Sequence, residues 1–508
     1  MKHRHVGLNL LPDDLATLAD GGARVLLRDY RGLSRGAFAW SAAAFAATAA
    51  IVFGIGREPV GWPLRLGLPL IALAFAILVW RRAGGAEAFV RFTTDGSRHF
   101  SAFVAACLDP RRWRRRHWLD MTDVAATAMP LPATRCEPDA QRPDIVVLHQ
   151  ESVFDPRLYG LPVTPDVAAF LEPEGGLYGP LNVDVFGGGS WQTEFSILTG
   201  FPASSFGADT WAIFRKGAGR FRHTLPLALK ALGYETALAS SFEKGFMNYD
   251  GFYAAAGVDE RRFADDFPAP FDRQRLQADY HDATFFAAAE AALFDRPRTA
   301  PLFAVLLTNY NHGPHERRLV PHGAAEASRA FALRALDLPA YGEYYARLTE
   351  TAAAYAAFRA RLAERRAGRP LLILRYGDHQ PALTREIAAR TGRDHEALRF
   401  TTPFAIEAIG FTPRPVALPR PLDVAFLGTA ALAYGRLPLD PIARARLALM
   451  DEIGADYVGT PSTARGRFHR AMIELGHVRL GAPGEALAAT APAPVRGEAE
   501  RLSEGRCR

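Results

Sequence analysis

Short apolar runs, each closed by glycine, polar and titratable residues, recur through the middle of the chain. Asp144-Ile-Val-Val-Leu-His-Gln150 is β-branched and continuous rather than alternating, the pattern of a strand covered on both faces. Tyr234–Ser240, Leu302–Thr308 and Pro370–Tyr376 share that character, while Thr224–Leu232 and Tyr345–Glu364 have helical spacing. This alternation predicts an α/β fold: a mostly parallel central sheet with helices on both faces. Two apolar stretches precede it. Gly36–Gly56 runs 21 residues without a charge, enough for a hydrocarbon core that takes roughly 20. Leu66–Trp80 has 15 residues between Arg65 and Arg81, a short span unless Arg65 snorkels and Trp62 and Trp80 sit at the interfaces. Together they read as a membrane hairpin; a pair of buried core helices is the alternative.

The chain therefore divides into a basic amphipathic segment (1–35), the hairpin (36–82), a basic and Pro-rich linker (83–143), the α/β domain (144–480) and a tail (481–508). The tail is Ala, Pro, Glu and Arg without apolar periodicity, which predicts disorder. The first thirty residues lack the charged, apolar and small-residue pattern of a signal peptide. Within the linker, Arg111-Arg-Trp-Arg-Arg-Arg-His117 reads as a solvated or headgroup-facing face.

Composition narrows the function. The net charge of +6 is almost wholly arginine, since the only lysines are Lys2, Lys216, Lys230 and Lys244, and the basic residues do not cluster as a nucleic-acid groove requires. Cys107, Cys136 and Cys507 are too dispersed for a disulfide framework or a thiolate metal site.

The chemistry converges on Val185-Phe-Gly-Gly-Gly-Ser-Trp-Gln-Thr-Glu-Phe195. Three glycines weaken a regular element and serve where a backbone turns sharply or something approaches closely. Ser190 follows them at the head of a helical pattern, beside free N–H groups and the positive end of a helix dipole. A plain Ser N-cap is the other reading. Glu151 ends the first strand, where open α/β sheets place their sites. The fourth strand runs into Gly377-Asp378-His379, whose oxygen and imidazole nitrogen suit one divalent cation, although an adjacent Asp-His also serves as a loop cap. Leu302–Thr308 runs into Asn309-Tyr-Asn-His312-Gly-Pro. Thr193 is a spare nucleophile that a helix starting at Ser190 would point away from the glycine loop, and Glu194 is a helix residue that leaves a supporting role open.

Gln150-Glu-Ser, Gly187-Gly-Gly-Ser-Trp-Gln-Thr-Glu-Phe, Leu198-Thr-Gly, Asn311-His-Gly-Pro and Gly377-Asp-His occur in that order. Together they resemble the sulfatase-like branch of the alkaline phosphatase superfamily, most closely the lipoteichoic acid synthase and phosphoglycerol transferase group. The resemblance runs from about Asp144 to Leu480 and includes Arg420-Pro-Leu-Asp-Val-Ala-Phe-Leu-Gly428. It implies one divalent metal, often manganese with magnesium or zinc as alternatives, held by Glu151, Ser190, Asp378 and His379. Ser190 would be the nucleophile; His312 would lie on the substrate phosphate or headgroup, with Asn311 and Asp250 as further substrate-binding candidates. The chain departs from that group in three ways. Serine stands where threonine is common, and Ser240–Asp250 replaces the usual headgroup residues. The membrane part is small, so that Met1 reads as the interior of a larger membrane domain. Cys136-Glu-Pro-Asp-Ala140 is not the modified-cysteine signature of sulfatases, which needs Arg at the last position.

These residues imply a membrane-associated, metal-dependent phosphotransferase. It would move a phosphoglycerol-type headgroup from a phospholipid donor to a cell-envelope glycan through a phosphoserine. A phosphoethanolamine transferase or a water-using phosphodiesterase of the same fold is the enzymatic alternative; a non-catalytic membrane scaffold is the alternative from another class. Nucleic acid is not an expected partner. The resemblance places the enzyme in a bacterial cytoplasmic membrane with its domain outside, yet arginines flank both sides of the hairpin, which by the positive-inside rule puts both flanks inside. The outward-facing arrangement is the expectation.

Overall fold

The structure, a computed structural model, describes residues 119–133, 140–267, 281–366 and 368–481, together with Ala43, Ala46 and Ala74. The basic N-terminal segment, the hairpin, the Arg111–His117 run, most of the Cys136 stretch and the tail beyond 481 lie outside the described residues. Among the described residues no helix is long and apolar enough to cross a membrane.

Eight strands form one sheet: β1 (Asp144–Gln150), β2 (Leu177–Asn182), β3 (Glu235–Ser240), β4 (Glu260–Arg262), β5 (Leu302–Leu307), β6 (Leu371–Gly377), β7 (Thr401–Ile409) and β8 (Leu422–Asp423). Their order is β4-β3-β5-β1-β6-β7-β2-β8, with β7 alone antiparallel to both neighbours. The predicted mostly parallel sheet is present, and β1 has the predicted bounds.

Helices cover both faces: α1 (Pro165–Leu171), α2 (Ser190–Thr199), α3 (Leu225–Ala231), α4 (Tyr249–Ala255), α5 (Asp282–Ala289), α6 (Glu326–Ala335), α7 (Pro339–Arg365), α8 (Thr384–Thr391), α9 (Val424–Tyr434), α10 (Pro441–Ile453) and α11 (Thr463–Glu474). Strand alternation sorts the core into two layers. Ile145 and Val147 of β1, with Phe303, Val305 and Leu372, pack under α2, α3, α4 and α9 to α11. Val146 and Leu148, with Ala304, Leu306 and Ile373, pack under α1 and α5 to α8. Both layers are apolar, which is why the central strands read as unbroken hydrophobic runs.

Of the stretch read as linker, residues 119–133 lie against this fold. The amides of Thr122, Ala125 and Met129 donate to the carbonyls of Ser205, Gly466 and Arg467, and Leu119 N–H donates to Leu480 O at 3.3 Å.

Candidate active site

Parallel pairing of β1 with β6 sets Gln150 opposite Gly377, so the residues that follow, Glu151 and Asp378, emerge side by side at the C-terminal edge of the sheet. The two loops are pressed together: a Cβ on Gly377 would stand 2.0 Å from the carbonyl oxygen of Val153. Gly187, Gly188 and Gly189 all have positive φ (73°, 140° and 100°), a path that only glycine follows freely. Gly187 N–H donates to Gln380 O at 2.9 Å, tying the glycine turn to the residue after His379. Gly189 is the N-cap of α2, so Ser190 is its first helical residue rather than its cap.

The Ser190 hydroxyl therefore faces the strand ends. Its Oγ lies 3.2 Å from Glu151 Oε2 and 3.4 Å from His379 Nε2. His379 Nε2 is in turn 3.5 Å from Glu151 Oε1 and 3.3 Å from Asp378 Oδ2. All four residues are buried. Asp378 Oδ1 accepts the N–H groups of Ser152 at 2.7 Å and His379 at 2.8 Å, while Oδ2 is buried with no hydrogen-bond partner. Thr193 donates its hydroxyl to the Asp378 carbonyl at 2.7 Å, so the spare nucleophile is committed to holding this loop.

Behind Asp378 sits His149, which the sequence showed only as one member of the β1 run. It shares the alternation of Ile145 and Val147 and so faces the α2 layer. Its Nε2 is 3.3 Å from Asp378 Oδ2; its Nδ1 is 3.2 Å from the Tyr376 hydroxyl and 3.7 Å from Glu194 Oε1. Glu194, one turn along α2 from Ser190, accepts the hydroxyls of Tyr249 and Tyr253. Burial disfavours charge on His149, but Asp378, Glu194 and Glu151 outweigh it and raise its pKa to about 9. Burial also raises Glu194 to about 7, against the opposing pull of His149 and the two tyrosines. For Asp378 burial opposes ionisation, yet His379 and His149 hold its carboxyl well below the usual range.

These donors fit a divalent cation. Bonds of about 2.0–2.2 Å in a tetrahedral shell put neighbouring donor atoms about 3.3–3.6 Å apart. The contacts among Ser190, Glu151, Asp378 and His379 span 3.2–3.5 Å. His149, Glu151 and Asp378 also bring one donor atom each within 4.8 Å of one another.

The substrate candidates are less uniform. His312 is half-buried at the end of the loop after β5, its Nδ1 2.6 Å from Gly313 O. Asn311 is buried and donates its amide to Thr351 Oγ1 at 2.8 Å, which turns it into the fold. Asp250 pairs with Arg261 at 2.7 Å and Lys244 at 3.7 Å. Asn309, two residues past β5 and the first of the polar run that follows that strand, is buried with neither side-chain amide atom hydrogen-bonded.

The loop after β5 is held from α7. Arg347, fully buried, donates Nε to Glu343 Oε1 at 2.9 Å and its other nitrogens to the carbonyls of His312, Pro314 and Arg317. Glu343 also accepts the amides of Leu319 and Val320.

An uncharacterized protein from Haemophilus influenzae is 26% identical over 279 residues, 53% of this chain and 49% of its own; the chain thus spans about half the length of that relative. The phosphoglycerol transferase GacH of Streptococcus pyogenes, solved with sn-glycerol-1-phosphate, superposes with a TM-score of 0.49 at 16% identity, covering 67% of this chain and 87% of that one. The lipoteichoic acid synthase LtaP of Listeria monocytogenes gives 0.44 at 15% identity over 60% and 76%. The lipooligosaccharide phosphoethanolamine transferase EptA of Neisseria meningitidis gives 0.45 at 13% identity over 76% and 72%. The sulfatase family model matches residues 143–406, more than half of the chain and the whole of the stretch from β1 to the middle of β7, and by that match the chain belongs to the sulfatase family.

Proposed function

We propose that the chain is a membrane-associated, metal-dependent phosphotransferase that moves a phosphoglycerol-type headgroup from a phospholipid to a cell-envelope glycan. The observation that carries this reading is the Ser190 hydroxyl, at the first position of a helix and within 3.4 Å of both Glu151 and His379. Glu151, Ser190, Asp378 and His379 would hold one divalent cation. When bound, such an ion lowers the pKa of a neighbouring hydroxyl and stabilises charge on phosphoryl oxygens.

Ser190 Oγ then attacks the phosphorus of the donor phosphodiester. The bond from phosphorus to the lipid alcohol breaks, the lipid leaves as a neutral alcohol once protonated, and a headgroup phosphodiester remains on Ser190. The free N–H groups at the start of α2 favour the anionic phosphoryl oxygens. A hydroxyl of the glycan acceptor attacks the same phosphorus, and Ser190 Oγ departs and regains its proton. His312 is offered to the headgroup through Nε2, its Nδ1 being engaged with Gly313. Asp250 would reach the headgroup only by exchanging its bonds to Arg261 and Lys244. Residues 36–82 would supply the membrane tether, with the catalytic domain on the outer side of a bacterial cytoplasmic membrane.

Ser190→Ala should abolish transfer and leave folding intact, because one buried oxygen is lost and no cap bond is broken. With labelled phosphatidylglycerol and phosphatidylethanolamine supplied in parallel and acceptor withheld, mass spectrometry should find the phosphoglycerol adduct on the peptide containing Ser190. Transfer that survives Ser190→Ala, or an adduct on Thr193, would overturn the assignment.

A further inference from the structure

We infer that His149 is a positioning residue for the cation site: held from behind by Glu194, it fixes the one oxygen of Asp378 that is left to bind a metal. This rests on the proposed cation site and goes beyond it, since the motifs that carry the family resemblance do not include His149.

The argument begins with Asp378. Its two oxygens are not equivalent. Oδ1 is saturated by two backbone N–H groups, from Ser152 and His379, which anchor the carboxylate to the chain but leave it free to pivot about that oxygen. Oδ2 is the oxygen 3.3 Å from His379 Nε2, and no hydrogen bond holds it. The His149 ring stands against it, with Nε2 at 3.3 Å. That nitrogen is itself buried with no hydrogen-bond partner. A carboxylate oxygen has room for a metal on one lone pair and an N–H on the other.

His149 is in turn prevented from moving. It is fully buried, with the rings of Phe242 and Tyr376 standing edge-on at 6.4 and 5.4 Å. Its Nδ1 meets the Tyr376 hydroxyl and Glu194 Oε1. Both oxygens of Glu194 accept tyrosine hydroxyls on α4, and His149 stands between Glu194 at 3.7 Å and Asp378 at 3.3 Å. Glu194 sits on α2 one turn from Ser190, which links the helix that carries the hydroxyl to the carboxylate through side chains as well as through the sheet.

A ligand role for His149 is the competing possibility. His379 meets Ser190, Glu151 and Asp378 at 3.3–3.5 Å, the spacing of one shell. Among the described residues the carboxylates within ion-pair distance of His149 are Asp378, at Nε2, and Glu194, at Nδ1. That is the place of a group that orients a ligand.

The test uses zinc alone and manganese alone, titrated calorimetrically into the full chain in detergent. His149→Leu should weaken both ions about 10- to 100-fold, the usual penalty for removing an orienting partner of a ligand. His149→Gln, which restores an N–H donor of similar reach, should recover most of that loss, and Glu194→Gln should lose several-fold. X-ray absorption at the zinc edge of the wild type should count one imidazole. Wild-type affinity in His149→Leu, or two imidazoles in the wild type, overturns the inference; the absorption measurement needs no variant and decides even if His149→Leu does not fold. Asp378→Ala separates the two levels: if it still binds zinc as the wild type does, the cation site itself is misassigned, whereas loss of binding there with no effect at His149 refutes only the positioning role.

Discussion

Gly377→Ala tests how closely the loops that carry Glu151 and Asp378 depend on each other. The backbone at Gly377 does not require glycine, since its φ is not in the left-handed region. The constraint is space: an added Cβ would lie 2.0 Å from Val153 O and 3.0 Å from Val153 C, where ordinary contact begins near 3.4 Å. Both obstacles are backbone, so no rotamer change relieves them, and the strand end and the loop must separate by roughly 1.4 Å. Overpacking of this kind costs about 1–3 kcal/mol. For a unit of roughly 340 residues, with about 2.1 cal/mol/K of unfolding entropy per residue, that is a fall of about 1–4 °C in Tm. The site should suffer far more. Metal shells tolerate only about 0.2 Å in bond length, and Glu151 and Asp378 ride on the two parts being forced open. Zinc or manganese affinity and transfer rate should each drop on the order of a hundredfold, the scale of a 1 Å misplacement. Calorimetric melting and metal titration on the same preparation separate the two effects. Gly179→Ala, whose nearest atom would be at 3.4 Å, is the neutral control. A Gly377→Ala protein that binds metal as the wild type does would refute the claim that the loops share one rigid geometry.

Two further outcomes follow from groups outside this site. Arg347→Met removes one of the two arginines on the buried Glu343, leaving Arg329, and strips the donor from three carbonyls of the loop after β5, which at about 1–3 kcal/mol per unsatisfied acceptor should cost about 3–5 kcal/mol in total. That corresponds to about 4–7 °C in Tm, with faster amide exchange over 312–320; unchanged exchange there would show that the clamp does not hold the loop. Burial and then the nearby Asp184 raise the pKa of Asp423 from 3.8 to about 8, so between about pH 4 and 8 the folded chain binds more protons than the unfolded one and this pair's contribution to stability falls as pH rises. Asp184→Asn should therefore gain on the wild type in melts taken from pH 5 to 8, and a constant difference across that range would exclude the coupling.

What was legible in the sequence follows from burial. β1 and β6 are covered on both faces, so their residues form continuous apolar runs and their bounds read almost directly. β2 and β7 left no such trace. β2 carries Gly179 and Pro180 and is half-buried along most of its length, and β7 contains Pro403 and a buried Glu407 that bonds to Tyr355 and Arg359. The antiparallel insertion they create had no signature to follow. Glu151, Ser190, Asp378 and His379 were visible because each ends an apolar run or a glycine turn, and they meet in space. His149 was not, because a histidine inside a β-branched run looks like core; only the sheet register and α2 bring two carboxylates to its ring. Residues 119–133 were read as linker because they dock through backbone amides, which any sequence supplies.

The bond between Leu119 and Leu480 joins the point where the chain enters the fold to the point where it leaves. Entry and exit side by side mean that the order of the polypeptide is dispensable to the architecture. A gene rearranged so that a few added residues connect 481 to 119, with new ends opened in the β7–β8 loop at the exposed Arg414 and Pro415, would keep every strand pairing. The same adjacency would let the stretch from 119 to 481 be inserted between two neighbouring residues in a loop of another protein.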